Sequence, residues 1–349
     1  MKNKKFNIFK LLAILFIVFA IIAPSAALAS ESSSGYEIET SLRDIELQKG
    51  SILNFDVRGT DGDGKKVTPA VTLNGQEMSP AWDDSSKTSY RLKFETAGEN
   101  NIIISAGNIS RTFKVNYAPA APGDVIGKAI ISVEVFTLGG GYLVDPVSAD
   151  IIEGENAAQL LTRVLANNGY TYRNTGAPES AFYLSSVSGG RLPIDARIPE
   201  VLGSVLESKN INISESDRGK GELGEFDYTT MSGWMYCVNG TFPNVGFSDY
   251  NLADGDVMRV QFTVAYGADI GGTSTMGYGY EEDYYAVAVK DELTMLMAER
   301  GIENIPDEVI AVATKIDSSQ EDVDGAVNIL KAGKVYSDVK NHWAKNSIY

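Results

Sequence analysis

A ribbon in the second half of the chain, SGWMYCVNGTFPNVGFSDYNLADGDVMRVQF (232–262), concentrates large aromatic and turn residues. Its loop 241–247 places two phenylalanines in a connection, where aromatic residues have little structural need to be. Binding residues concentrate in loops held by a rigid sheet. We therefore predict a ligand-binding site here. Its candidate residues are Trp234, Tyr236, Phe242, Asn244, Phe247 and Tyr250.

The alternative is that these aromatic residues only pack the sheet. Aromatic residues at alternate strand positions are more often core than ligand platform, which favours packing for Trp234. Phe242 and Phe247 could also fold back and cap the sheet. A binding protein is expected to expose Phe242, Phe247 and Tyr250 around a concavity, whereas a structural spacer is expected to bury them.

Residues that could do nucleophilic or acid–base chemistry are few. The chain has one histidine, His342, which lies in a helix-start motif, and one cysteine, Cys237, which lies in an apolar strand pattern that predicts burial. The 46 acidic residues are numerous enough to include the two catalytic carboxylates of a glycosidase, but no pattern places two of them in one cleft. We predict that the protein is not an enzyme and has no catalytic residue.

A calcium loop is the alternative interpretation of GTDGDG (59–64), because its aspartates could present oxygens to a hard cation. The downstream glutamate and the flanking helices of such a loop are absent. An Asp-Gly turn between two strands is predicted instead, with no metal site and no cofactor.

The N-terminus predicts export. A basic start (MKNKKFNIFK), an apolar run and the small-residue exit SAALAS are typical of a signal peptide over 1–29, cleaved after Ala29; a transmembrane helix is the alternative. Cleavage removes four of the 30 basic residues and leaves 26 against 46 acidic ones, a net charge of −20. Nucleic acid is excluded as a partner by this charge, and no membrane contact is expected after cleavage.

Two units follow a polar tether at 30–36. Short alternating segments separated by turn residues predict an all-β sandwich over 37–117. A proline-rich linker is predicted at 118–124, followed by an α+β unit over 125–266 with two strands, an amphipathic helix and more strands. A Gly/Tyr-rich linker (267–284) and a short helical connector (285–333) are predicted to complete this multidomain chain.

The two ribbon strands differ in their patterns. The stretch 234–239 (WMYCVN) is apolar on both sides, which predicts a central strand. In the last strand, Met258, Val260 and Phe262 alternate with polar residues, which predicts that one side faces water.

Several stretches resemble known families. The pattern over 37–117 resembles bacterial immunoglobulin-like modules, and the α+β unit resembles β-grasp folds. GWMYCVNG, followed by NVGFSDYNLADGDVMRVQFT, resembles the signature of transcobalamin C-terminal-like domains of secreted bacterial proteins, over about 125–266. That resemblance implies contact with a corrinoid or another small ligand through aromatic side chains and loop backbone.

The final residues, VYSDVKNHWAKNSIY, resemble the opening of an S-layer homology module at 334–349. Tyr336, Asp338, Val339, His342 and Trp343 fit this opening. The resemblance implies a partner, cell-wall polysaccharide, gripped by S-layer homology modules beyond this chain. It also implies a location on the cell wall of a bacterium, of Gram-positive type.

These features predict a secreted, cell-wall-associated, non-catalytic surface protein. Its transcobalamin-like unit is expected to bind a small ligand, with a corrinoid as the candidate. The alternative function is a structural or adhesive S-layer-associated spacer that binds no small molecule.

Overall fold

The computed structural model covers both predicted units. It describes residues 29–33, 35–83, 87–190, 192, 196–214, 221–273 and 282–346, with the side chains of all except 29–33 and 334–346. The predicted signal peptide up to residue 28 and the side chains of the S-layer-like motif lie outside the described residues. Within the described part of the chain, no helix is long and apolar enough to span a membrane.

The first unit is a sandwich of two β-sheets. One sheet contains β1 (Ala29–Ser33), β2 (Tyr36–Thr40), β4 (Ile52–Thr60), β5 (Lys66–Val67), β8 (Trp82–Asp83) and β9 (Thr88–Lys93). The other contains β3 (Ile45–Gln48), β6 (Ala70–Leu73), β7 (Gln76–Met78), β10 (Gly98–Ala106) and β11 (Ile109–Tyr117). The strand orders are β1-β2-β4-β9-β8, with β5 beside β4, and β3-β11-β10-β6-β7.

Alternation of apolar and polar residues builds the sandwich core. In β10, for example, Ile102 and Ile104 are fully buried while their neighbours Asn101 and Ser105 are partly exposed. Phe55, Leu92 and Val115 meet them from other strands. The predicted all-β sandwich is therefore confirmed, and its immunoglobulin-like character stays a prediction.

The second unit is built on a mixed four-stranded sheet. Its strands are β12 (Val125–Glu134), β13 (Tyr142–Ile152), β17 (Gly233–Val238) and β18 (Val257–Thr263). Their order is β13-β12-β18-β17, with the two central strands parallel and the outer pairs antiparallel. A second sheet contains β14 (Tyr170–Ala177), β15 (Ser180–Gly189) and β16 (Glu222–Gly224). The β-grasp assignment stays a prediction.

Two helices belong to this α+β unit, α1 (Ala157–Asn167) and α2 (Glu200–Ser208). A capping box starts α1: the Gln159 N–H donates to the Asn156 side chain at 2.9 Å, and the Asn156 N–H donates to the Gln159 side chain at 3.0 Å. Its predicted apolar side is buried in the core. The buried residues of that side are Leu160, Leu161, Val164 and Leu165.

The predicted positions of the two ribbon strands are wrong. β17 lies at the edge of the sheet, and β18 is central and buried on both faces. Arg259, Gln261 and Thr263 therefore do not face water, because the C-terminal helices cover that side of the sheet. Strand patterns report how apolar a face is, and a covering layer from elsewhere in the chain can reverse the expected exposure.

The covering layer is the segment predicted as a connector. It forms α3 (Asp291–Arg300), α4 (Asp307–Thr314) and α5 (Gln320–Asn346), which share a small core of their own. α3 packs against β12, β13 and β18. Part of the predicted linker is also packed on the unit, since the Val264 N–H donates to the Asp269 carboxylate at 2.7 Å.

A buried ion pair lies between the sheet and the helices. Arg259 of β18 donates to both carboxylate oxygens of Glu134 on β12, at 2.8 and 2.6 Å. Both residues are at most 5% exposed. The Ser132 hydroxyl adds a third hydrogen bond to Glu134 at 2.7 Å, so the carboxylate is well satisfied.

The start of α3 adds two more ionisable groups: Lys290, which is buried, and Asp291, which is partly exposed. The Lys290 ammonium donates to the carbonyls of Ala313 and Lys315, at 3.0 and 2.6 Å, and burial lowers its pKa to about 7. Burial also raises the pKa of Asp291 to about 6. One Asp291 oxygen is buried without a hydrogen-bond partner among the described residues.

We expect Asp291→Asn to stabilise the protein more at pH 7.5 than at pH 4. A carboxyl whose folded-state pKa is raised favours folding in its protonated form, so its contribution declines as the pH rises from about 4 to about 6. The free energy of unfolding of the variant, relative to that of the wild type, should therefore rise by about 2 kcal/mol between pH 4 and pH 7.5. Urea unfolding at each pH measures this.

Asp63→Asn is the matched control, because it removes an exposed carboxylate from a turn of the sandwich. Its effect on the free energy of unfolding should be small. A constant effect of Asp291→Asn across this range would contradict the predicted burial of its charge.

Candidate functional site

The ribbon is a β-hairpin that starts at the edge of the sheet. Asn239 and Gly240 both have positive φ angles, 51° and 74°, as a tight hairpin turn requires. Val238 pairs with Thr241 across this turn. The loop then continues past Phe242 to a short helical turn, Phe247–Asp249.

Trp234 and Tyr236 point into the core of the α+β unit. The Trp234 indole N–H donates to the Leu223 carbonyl at 3.1 Å, and its ring lies edge-on to Phe262. The Tyr236 hydroxyl donates to the Val245 carbonyl at 3.0 Å, and burial raises the pKa of this tyrosine. Both side chains are therefore part of the core packing, which is the alternative to ligand binding given above.

The two loop phenylalanines differ in their environments. Phe247 is buried, stacks on Tyr236 with ring centroids 4.2 Å apart, and meets Phe182 edge-on at 6.2 Å. Phe242 is partly exposed and lies beside Gly272. One phenylalanine caps the core, and the other remains available at the surface.

A cavity of about 340 Å³ opens between this loop, β17 and β15. Five of the six predicted site residues line it, and Asn244 is exposed at its rim. The lining residues are Phe182, Tyr183, Leu184, Trp234, Met235, Tyr236, Phe242, Pro243, Asn244, Val245, Gly246 and Phe247. The volume lies at the small end of ligand pockets, and the lining is mostly apolar, as such pockets usually are.

Tyr250, the sixth predicted residue, lies elsewhere. The Arg91 guanidinium of the sandwich sits 4.5 Å from the centre of its ring. Arg91 also donates to the Asn251 carbonyl. Burial raises the pKa of the Tyr250 hydroxyl to about 12. Tyr250 therefore belongs to the contact between the two units.

Asp256 is the centre of that contact. Its carboxylate accepts from the Asn54 amide of the sandwich at 2.7 Å and from the Asn239 amide of the hairpin turn at 2.8 Å. The Ala253 N–H donates to it at 2.8 Å, and Arg91 lies 3.8 Å away. Burial raises the pKa of this carboxyl.

The sequence did not predict this cluster. Asp256 lies in the turn sequence Asp254-Gly255-Asp256, and its partners Asn54 and Arg91 lie in the other unit. Nothing in the local pattern around those two residues distinguishes them from other polar strand residues. A crevice of about 180 Å³ between the units borders the cluster.

A larger, more polar hollow of about 570 Å³ lies along α2. It is lined by Glu200, Glu207, Asn210 and neighbouring residues, and it holds none of the predicted site residues. We therefore take the cavity beside β17 as the candidate site.

Cys237 is buried, as predicted. Burial raises the pKa of its thiol to about 12, and the Gln261 amide donates to its sulfur at 3.3 Å. In the described part of the chain, no three His, Cys, Asp or Glu residues are grouped so that they could hold a metal ion.

Comparison with sequence families matches only part of the chain. A family model described as a domain of unknown function (DUF4430) matches residues 220–264. This segment includes β16, β17, β18 and the cavity loop. A search of curated proteins finds no match.

Comparison with solved structures finds domains of an S-layer protein and tandem immunoglobulin repeats. The S-layer protein SbsC, domains 4 and 5, is 19% identical over 26% of this chain and 53% of that one, with a TM-score of 0.20. SbsC domains 5–6 are 15% identical over 47% of this chain and 85% of that one, with a TM-score of 0.24. Tandem immunoglobulin repeats of Dlar are 9% identical over 64% of this chain and 96% of that one, with a TM-score of 0.26.

The chain thus spans about half the length of the first of these structures. TM-scores of this size are too low to assign a fold or a function to this protein.

We expect Phe247→Ala and Phe242→Ala to differ in their effect on stability. Phe247 fills the core between Tyr236 and Phe182, so its truncation should cost about 3–5 kcal/mol. Phe242 is only partly buried, and its truncation should cost about 1 kcal/mol. Urea unfolding measures both; equal losses would mean that Phe242 is also core.

Proposed function

We propose that the protein is an exported, non-catalytic protein of a bacterial cell surface that binds a small ligand in the cavity beside β17. The cavity is the observation that carries the proposal. It brings Phe242 and Asn244 to an accessible rim above the predicted aromatic residues. A spacer alone has no need of such a partly exposed aromatic rim.

Support for the surface location comes from the sequence. The predicted signal peptide exports the chain, and the S-layer-like motif at 334–349 is the basis for proposing attachment to cell-wall polysaccharide through modules beyond this chain. The Gram-positive type of the cell rests on the same motif. Absence of catalysis is proposed because the single cysteine is buried and, among the described residues that line the cavity, the ionisable groups are tyrosines.

A corrinoid is the ligand that the transcobalamin-like signature suggests. A whole corrin ring is larger than a cavity of about 340 Å³, so only a substituent or one edge of it would enter. The remainder would lie over Phe242 and Asn244 at the rim. This arrangement leaves Trp234, in the wall of the cavity, close to the bound ring.

The binding experiment uses the fluorescence of Trp234. The chain has three tryptophans, so Trp82→Phe and Trp343→Phe leave Trp234 as the only one. A corrinoid absorbs where tryptophan emits, and we expect cobinamide to quench Trp234 in a saturable way. Phe242→Ala should weaken the binding about tenfold or more, because it removes the exposed aromatic ring of the rim.

Phe226→Ala is the matched control, since Phe226 is 60% exposed and does not line the cavity. Its affinity for cobinamide should equal that of the parent. Loss of quenching in both variants, or no quenching in the parent, would count against a corrinoid site.

A structural spacer is the second candidate, and the contact between the units favours it. Arg91, Tyr250, Asn54 and Asp256 join the sandwich to the α+β unit through hydrogen bonds and one cation–π contact. A rigid pair of units could transmit force or hold a fixed spacing at a surface. This candidate requires no occupant for the cavity.

We expect Arg91→Ala to loosen the two units. The change removes a cation–π contact and hydrogen bonds that together contribute about 1–2 kcal/mol. Small-angle X-ray scattering should show a larger radius of gyration and a broader distance distribution. Arg111→Ala is the control, because Arg111 packs over Phe113 inside the sandwich. Identical scattering from both variants would remove the support for a rigid spacer.

A further inference from the structure

The candidate cavity lies against the edge of a strand. Three consecutive residues of β17 line it: Trp234, Met235 and Tyr236. Side chains of consecutive strand residues point to opposite faces of the sheet. A cavity that touches all three therefore borders the main chain of β17, on the side where the sheet ends.

The hydrogen bonds of the hairpin show which main-chain groups face the cavity side. The Asn239 N–H donates to the Val257 carbonyl beside it, toward the sheet. The Val238 N–H and carbonyl instead bond to Thr241, away from β18. Because this orientation alternates along an antiparallel strand, the main-chain groups of Tyr236 and Trp234 also point away from β18.

Among the described residues, that edge of β17 is paired only at the hairpin turn. The loop pairs with β17 only at the bridge between Val238 and Thr241. No other strand among the described residues pairs with this side of β17. A free strand edge is a ready template for an added strand, and peptide-binding proteins use it in this way.

The surroundings of the cavity are acidic. The described residues that line the cavity include no charged side chain. At the rim, the Glu225 carboxylate accepts from the Tyr183 hydroxyl at 2.7 Å, and the exposed Asp249 lies beside Gly246. The whole chain carries a net charge of −16. A cationic partner complements this rim.

We propose that the cavity beside β17 is a strand-addition site for an extended polypeptide segment that carries apolar side chains and flanking lysine or arginine residues. The segment pairs through its main chain with Trp234 and Tyr236, places its apolar side chains against Phe242 and Phe182, and sets its cations near Glu225 and Asp249. This inference rests on the proposed binding function of the cavity and names its ligand class.

The test uses the full chain and a defined peptide panel. The probes are acetyl-Lys-Val-X-Val-X-Lys-amide peptides in which each X is alanine, leucine, phenylalanine or tyrosine. Matched peptides carry N-methyl groups on alternate peptide bonds, so they keep the side chains and lose main-chain donors. Binding is measured by titration calorimetry, and hydrogen exchange is measured at single amides.

We expect at least one peptide to bind, and its N-methylated match to bind about tenfold more weakly. On binding, the amides of Trp234 and Tyr236 should exchange about tenfold more slowly. The amides of Met235 and Cys237 already face β18 and should not change. Higher salt should weaken binding, because the cations of the peptide interact with an exposed acidic rim.

Asp249→Asn supplies a second readout on the protein side. It should weaken the binding of the lysine-flanked peptide a few-fold and leave the binding of a glutamine-flanked peptide unchanged. Asp63→Asn makes the same change in the other unit and should alter neither.

Two kinds of failure are distinguishable. Cobinamide quenching of Trp234 with no peptide binding, or peptide binding without protection of the Trp234 and Tyr236 amides, would overturn strand addition and leave the cavity a small-ligand site. Absence of binding by both cobinamide and every peptide would overturn the proposed binding function as well.

Discussion

The arrangement of the α+β unit depends on the buried ion pair between Arg259 and Glu134. Two charges removed from water need each other and their remaining hydrogen bonds, and the loss of one partner costs several kcal/mol. The pair joins the two central parallel strands on the face covered by the helices. α3 packs against both of these strands, so the pair is enclosed between the sheet and the helical layer.

This covered layer determines where the candidate site lies. β12 and β18 occupy the centre of the sheet, and β17 lies at its edge. The hairpin turn then carries the loop away from that edge and leaves the cavity. Phe247 anchors the loop by entering the core, so Phe242 and Asn244 are held at the rim by packing that lies beneath them.

The same loop connects to the sandwich. Tyr250 lies against Arg91, and the hairpin residue Asn239 shares Asp256 with Asn54. The rim of the cavity and the contact between units are therefore only a few residues apart in one loop. A change in the contact between the units therefore acts close to the cavity. The binding function and the spacer function would depend on the same loop.

Local pattern alone was enough to indicate the sandwich and the amphipathic helix α1, because each depends on residues near in sequence. It was also enough to indicate the loop that lines the cavity. The tertiary structure decided that β18 is central, that Tyr250 binds Arg91, and that Phe247 and Phe242 have different environments. These outcomes depend on contacts between segments far apart in the chain, such as the helices over β18 and Arg91 over Tyr250. An alternating pattern shows which face of a strand is apolar. It does not show whether a distant segment of the chain covers that face, or which segment does so.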